Sequence, residues 1–146
     1  MHSQEKFRPS IAHFDKIVYN SNRVLNAAKI MEMPVMATEQ YPKGLGRTVP
    51  EIELGKFGIA PFEKTCFTMA IPEVRRRDES MPSKHLDDSQ SRLQLMSKLA
   101  EEQGGPTESV ILCGIETQAC IYHTVMDLLE RGDINVHVVA DCCSSR

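Results

Sequence analysis

Ser109–Arg131, SVILCGIETQACIYHTVMDLLER, is the stretch whose reading decides the fold. Val110, Ile111 and Leu112 form a short aliphatic, β-branched run of the kind found in a strand buried on both faces. Gly114 breaks that run. Beyond it, apolar residues recur at Ile121, Val125, Leu128 and Leu129, the spacing of a helix with one buried stripe. The strand-to-helix junction therefore falls at Glu116 to Ala119, with Thr117 read as the N-cap, and Cys120 lies in or just before the first helical turn. Unpaired N–H groups and the helix dipole at such a place favour an anion and lower a thiol's pKa. Cys120 is accordingly a candidate nucleophile. Against this stands the commoner role of a free cysteine, a small buried hydrophobe.

The flanking segments extend an α/β pattern in both directions. Phe14 to Met31 carries a helical stripe of Phe14, Ile17, Val18, Leu25 and Ala28, and Pro34 stops it. Val35 to Thr38 reads as a short strand, and the helix–turn–strand order is that of an α/β unit. The Pro- and Gly-rich stretch Glu39–Pro50 reads as a loop beyond a strand's carboxyl end, a position suited to a pocket wall. Gly44 and Gly46 within it belong to no phosphate-binding pattern. After Gly132, Asn135 to Ala140 reads as another buried strand, and Asp141-Cys-Cys-Ser-Ser-Arg146 follows as a turn. Residues 1–13 read as polar and irregular, without an anchored structure.

Lys64 sits among apolar residues in Phe62–Met69, FEKTCFTM. A lysine so placed ordinarily snorkels to water. Desolvated beside a nucleophile, it would instead stabilise a thiolate or a developing negative charge. Between these segments, Arg75 to Arg92 changes character: nine of its eighteen residues are charged, too many to bury, so it reads as a solvated, mobile insertion. Leu93 to Gln103 then resumes a helical pattern, closed by Gly104-Gly105-Pro106.

The totals exclude several classes of function. A length of 146 residues fits a single domain. The net charge of −3 gives no electrostatic footprint for nucleic acid or an anionic membrane, and no run is long and apolar enough to span a bilayer. Five cysteines (Cys66, Cys113, Cys120, Cys142, Cys143), odd in number and without a CxxC pair, argue against a disulfide framework and a zinc site. They point to a reducing, intracellular compartment, the cytoplasm first, with nucleus and mitochondrion left open. His13, His85, His123 and His137 lack ligand spacing, so neither a metal nor another cofactor is expected.

Three blocks in order, TEQYPKGLG at 38–46, KTCFTM at 64–69 and GIETQACI at 114–121, followed by VHVVADCCSSR at 136–146, resemble the isochorismatase-like cysteine hydrolases. The resemblance is nearest to the animal isochorismatase domain-containing proteins and covers nearly all of the chain except the charged insertion. It implies a three-layer α/β/α fold around a parallel, Rossmann-like sheet, and an Asp–Lys–Cys triad whose lysine falls on Lys64 and whose cysteine falls on Cys120. It also implies a cis peptide at Ile115–Glu116, with the main-chain N–H groups of Glu116 and Cys120 forming an oxyanion hole. The triad's aspartate would precede QEKF at 4–7 and aligns with His2. On this resemblance the chain lacks the family's first strand and its final helix–strand–helix, and so reads as one partial domain over 1–146. The expected activity is hydrolysis of a small carbonyl or amide-type substrate by Cys120 with Lys64, made doubtful by His2. The alternative is a non-catalytic, shortened isoform that acts by binding, or one without a stable fold. A small-molecule substrate is the expected partner, with self-association into a homo-oligomer open.

Overall fold

The computed structural model describes residues 3–70 and 100–146. Among these residues the longest helix, α1 (Phe14–Ile30), buries Phe14, Ile17, Val18, Ser21 and Leu25; of the stripe expected from the sequence Ala28 is only half-buried, and Ser21 joins it. The first strand begins later than predicted. Met33 to Ala37 runs without strand pairing, and β1 is Thr38–Gln40. Loop 39–50 is not irregular throughout, because Pro42 starts a single helical turn, α2 (Pro42–Leu45). β2 (Phe62–Lys64) pairs parallel with β1, so that Gln40 lies opposite Lys64.

The stretch that decides the fold forms β3 (Ser109–Ile115), a π-type turn at Thr117–Ile121, and α3 (Tyr122–Leu129). β4 (Asn135–Ser144) runs parallel to β3 and continues four residues past the predicted Ala140. The register shifts between Leu112 and Gly114, bringing Gly114 opposite Cys143. Gly114 has φ 147°, a backbone conformation that residues with a Cβ rarely adopt, and this answers why glycine ends the aliphatic run.

The class is α/β with parallel pairing, as read from the sequence. Among the described residues the pairing forms two ladders, β1–β2 and β3–β4. α1 and α3 both pack on the β3–β4 ladder, through separate apolar clusters. One cluster joins the α1 stripe to Val49, Ile52 and Ile115. The other joins Ile121 and Leu128 to Leu112 and Ile134. An apolar cavity of about 440 Å³ extends between the ladders, lined by α1 (Leu25, Ala28), the run into β1 (Val35, Met36) and β3 (Ile111, Leu112).

Contrary to expectation, the amino-terminal segment is anchored. Ser3 and Gln4 are fully buried, Gln4 bridges to Thr48, and Glu5–Phe7 forms a 3₁₀ turn whose Phe7 enters the α1 cluster. Polar groups there are withdrawn from water because the protein supplies their partners. The far end of the chain is held as well: Ala12 N–H donates to the Ser145 carbonyl at 3.0 Å, and Ser144 Oγ donates to the Ala12 carbonyl at 2.7 Å. The charged insertion at 75–92, most of the Leu93–Gln103 helix, His85 and His2 lie outside the described residues; 100–103 are helical.

Candidate active site

The two parallel ladders and the β3–α3 junction bring Lys64 and Cys120 together. Lys64 ends β2 and Cys120 lies in the π-type turn. Each is 3% exposed, and Lys64 Nζ donates to Cys120 Sγ at 3.4 Å. Lys64 does not snorkel. Its Nζ also lies within hydrogen-bond distance of Gln40 Oε1 at 2.7 Å, the Phe67 carbonyl at 2.9 Å and the Cys66 carbonyl at 3.0 Å, so that four acceptors share three N–H donors. A buried ammonium is tolerable because oxygens replace the water it has lost.

The electrostatics correct the expectation of a thiol made acidic by its place at a helix start. Burial pushes the Cys120 thiol above the ordinary cysteine value. Lys64 pulls it back, while Glu116 and Cys66 add to the rise. Burial likewise pushes Lys64 below the ordinary lysine value, with Cys120 and Cys66 opposing. Removing both groups from water disfavours both charges, and their mutual attraction partly restores them. The turn also gives Cys120 less help than a free helix end would, because its N–H donates to the Glu116 carbonyl at 2.9 Å.

That hydrogen bond bears on the oxyanion hole expected at this junction, since it engages the Cys120 N–H within the turn. The Ile115–Glu116 peptide is trans, not cis. The chain reverses through Glu116 itself, at φ 57° and ψ 56°. Ile115 is fully buried and packs with the α1 cluster. Glu116, not Thr117, occupies the N-cap position, and Thr117 Oγ1 donates to the Ser144 carbonyl at 3.0 Å. Glu116 Oε1 accepts from Arg146 Nε at 3.2 Å, and Gln118 Nε2 donates to Glu116 Oε2 at 3.4 Å.

Three residues that the sequence reading passed over hold the pair in place. Thr124 Oγ1 donates to the Cys120 carbonyl at 2.6 Å and accepts from Met69 N at 2.8 Å, tying the turn that carries Cys120 to the segment after Lys64. The i, i+4 spacing of Cys120 and Thr124 was the available signal. Gln40 and Gln4 form the other support, and nothing in their local sequence marks contacts of long sequence separation. Beside them, fully buried Glu39 accepts from Arg47 Nη1 at 2.8 Å and from Thr48 N–H at 2.7 Å. Burial pushes its carboxyl up, but the Thr48 N–H and the Arg47 guanidinium outweigh burial and hold it below the ordinary value.

At the exposed rim, His123 stacks on Phe67 with centroids 5.5 Å apart and meets Tyr122 edge-on at 5.4 Å. His13 and His137 are exposed and stand apart from the site. Neither the 440 Å³ cavity nor a second one of about 620 Å³, between the end of α1 and residues 57–62, is lined by Lys64, Cys120 or loop 39–50. The loop's predicted role as pocket wall is thus not met by either cavity. Among the described residues, no group of three or more His, Cys, Asp or Glu side chains is placed to hold a metal ion.

Comparison with known proteins gives concordant matches. Residues 2–146 match the family model described as the isochorismatase domain. The chain is 50% identical to mouse isochorismatase domain-containing protein 2A over 143 residues, covering 98% of this chain and 56% of that one. Against human isochorismatase domain-containing protein 2 the values are 47% identity, 98% and 57%. The chain thus spans little more than half the length of these relatives. Among solved structures, the Caenorhabditis elegans MAR1 ribonuclease aligns with a TM-score of 0.70 and 38% identity, over 99% of this chain and 62% of that one. A Leishmania major chain, described as a putative MAR1 ribonuclease, aligns with a TM-score of 0.69 and 28% identity, over 99% of this chain and 63% of that one.

Proposed function

The chain belongs to the isochorismatase family, and on that premise we propose that it is a thiol-dependent hydrolase of a small carbonyl or amide-type substrate, with Cys120 as nucleophile and Lys64 as its cationic partner. The observation that carries this reading is the buried Lys64 Nζ to Cys120 Sγ contact of 3.4 Å. A thiolate formed there has its counter-charge fixed beside it in a region with little water.

In the proposed reaction the Cys120 thiol gives its proton to solvent, and the sulfur attacks the carbonyl carbon to form a C–S bond. The tetrahedral oxyanion collapses, and the bond to the leaving group breaks as that group takes up a proton. Water then cleaves the C–S bond of the acyl-enzyme, releasing the acid and restoring the thiol. Lys64 stabilises the thiolate at the start and again when the sulfur leaves.

The two solved neighbours are described as ribonucleases. Against carrying RNA cleavage over to this chain stands its formal net charge of −3, which supplies no general attraction for a polyanion. A non-catalytic binding role is the second reading, favoured by the absence of Cys120 from the linings of both cavities. Turnover of p-nitrophenyl acetate and of a panel of small amides by the full chain separates the two. The hydrolase reading expects Cys120→Ser to reduce turnover at least about a hundredfold. Equal activity in wild type and variant, or none in either, leaves the binding reading.

A further inference from the structure

Lys64 Nζ stands among three oxygen acceptors and one sulfur. Two of the oxygens are backbone carbonyls, of Cys66 and Phe67; the third, Gln40 Oε1, belongs to a side chain and at 2.7 Å is the nearest of the four. An ammonium carries three N–H donors, whereas a neutral amine carries two and a lone pair. Three oxygens around one nitrogen therefore select the charged form, since with a neutral amine one oxygen would face the lone pair.

The orientation of the Gln40 amide follows from its two partners. Its Nε2 donates to the Thr65 carbonyl at 2.8 Å, an atom that can only accept. Its Oε1 is thereby left pointing at Nζ. The Gln40 backbone is fixed in turn: its N–H donates to Gln4 Oε1 at 2.6 Å, and its carbonyl accepts from Gln4 Nε2 at 2.9 Å. Gln4 is fully buried, and its Nε2 also reaches the Gly46 carbonyl. One side-chain amide thus occupies the donor and the acceptor of a single strand residue, much as a neighbouring strand would.

We propose that Gln40 is the positioning residue of the Lys64–Cys120 pair, its side-chain oxygen holding Lys64 as the ammonium that faces the thiol, and that Gln4 clamps Gln40 for this task. This rests on the reading of Cys120 as nucleophile and deepens it. In this role Gln40 acts through Lys64. Without its oxygen, Nζ keeps only two oxygen partners, the ammonium loses its selection, and the thiolate loses its counter-charge.

The test is the pH profile of Cys120 alkylation by iodoacetamide in the full chain, resolved by peptide mapping, alongside titration of the Lys64 ¹³Cε resonance. Gln40→Met keeps the length and removes the oxygen. It is expected to raise the alkylation midpoint by about one pH unit, roughly a tenfold slowing near neutrality, and to lower the Lys64 midpoint. Gln4→Met, which loosens the clamp, shifts both in the same directions by less. A slower rate with both midpoints unchanged overturns the proposal, because a merely structural role alters rates without altering the titration. If Gln40→Met does not melt cooperatively, Gln40→Asn decides by the same criterion, its shorter amide stopping short of Nζ. If wild-type Cys120 shows no titrating reactivity, the nucleophile reading fails by itself. The Lys64 resonance then still decides whether Gln40 holds the ammonium.

Discussion

Cys120 and Cys142 are withdrawn from water to nearly the same degree, at 3% and 1% exposure, yet their surroundings differ in kind. Cys120 has an ammonium 3.4 Å from its sulfur. Cys142, in β4, is pushed up to about 12, first by burial and then by Cys113, Asp141 and Cys143, with Arg23 the weakest influence and the only opposing one. Cys113 is likewise pushed up by burial. Burial by itself therefore makes a thiol inert, and a nucleophile needs a second feature, a cation buried with it. The Cys113–Cys142–Cys143 group has the surroundings of small buried hydrophobes, and the ammonium beside Cys120 sets its surroundings apart from theirs.

The widest separation should appear directly in alkylation rates. A thiol titrating near 12 is ionised to about one part in ten thousand at pH 8, so Cys142 should be nearly silent. Cys120 is expected to react at least about a hundredfold faster than Cys142 at that pH. Cys66, which is exposed, serves as the internal reference for a thiol open to solvent. Equal rates at Cys120 and Cys142 would erase the contrast and with it the claim that Lys64 matters.

Removing the cation should bring the two thiols together. Lys64→Met keeps the aliphatic stem and deletes the charge, leaving Cys120 with burial and Glu116, both of which raise its pKa. Its alkylation at pH 8 is expected to fall by about thirtyfold, the consequence of losing a close opposite charge. The sign with pH is definite. As pH rises the thiolate forms with or without Lys64, so the wild-type and variant rates should converge in strong alkali and differ most near neutrality. A constant ratio across the pH range would place the effect in access to the sulfur and not in charge.

The same contrast explains which parts of the molecule were legible in the sequence. Cys120 could be singled out because a periodicity change from strand to helix is a local signal, and Lys64 because a charge inside an apolar run is conspicuous. Neither signal reveals whether the lysine reaches water, since that depends on Gln40, Cys66 and Phe67 supplying oxygens around it. Gln4 and Gln40 lie 36 residues apart and meet only once the chain has folded. Nor could the direction of the thiol's shift be read locally. A helix start argues for a lowered value, and only the folded structure shows that the Cys120 N–H is already engaged by Glu116 and that desolvation dominates. The late start of β1 and the late end of β4 have a common cause. Strand boundaries are set by pairing partners, Phe62–Lys64 and Ser109–Ile115, and not by the residues of one strand alone.

The junction that separates the two thiol environments can itself be strained, with a smaller expected effect. Gly114 lies between Cys113, on the inert side, and the turn that carries Cys120. Its φ of 147° accompanies the register shift that sets it opposite Cys143. A β-branched side chain there is forced into a sparsely populated conformation, at a cost of about 1.5 kcal/mol. Gly114→Val should therefore lower the melting temperature by about 5 °C. The strain falls on the β3–β4 ladder, whose opening exposes Cys113 and Cys142, so their alkylation should rise in the variant as the ladder opens more often. Cys120 is tied separately, through Thr124 to Met69 and through Lys64 to β2, and its alkylation midpoint should stay where it is. A midpoint that moved with the strain would mean that the two environments are one cooperative unit. A melting curve left unchanged would mean that Gly114 is not required by the backbone conformation it adopts.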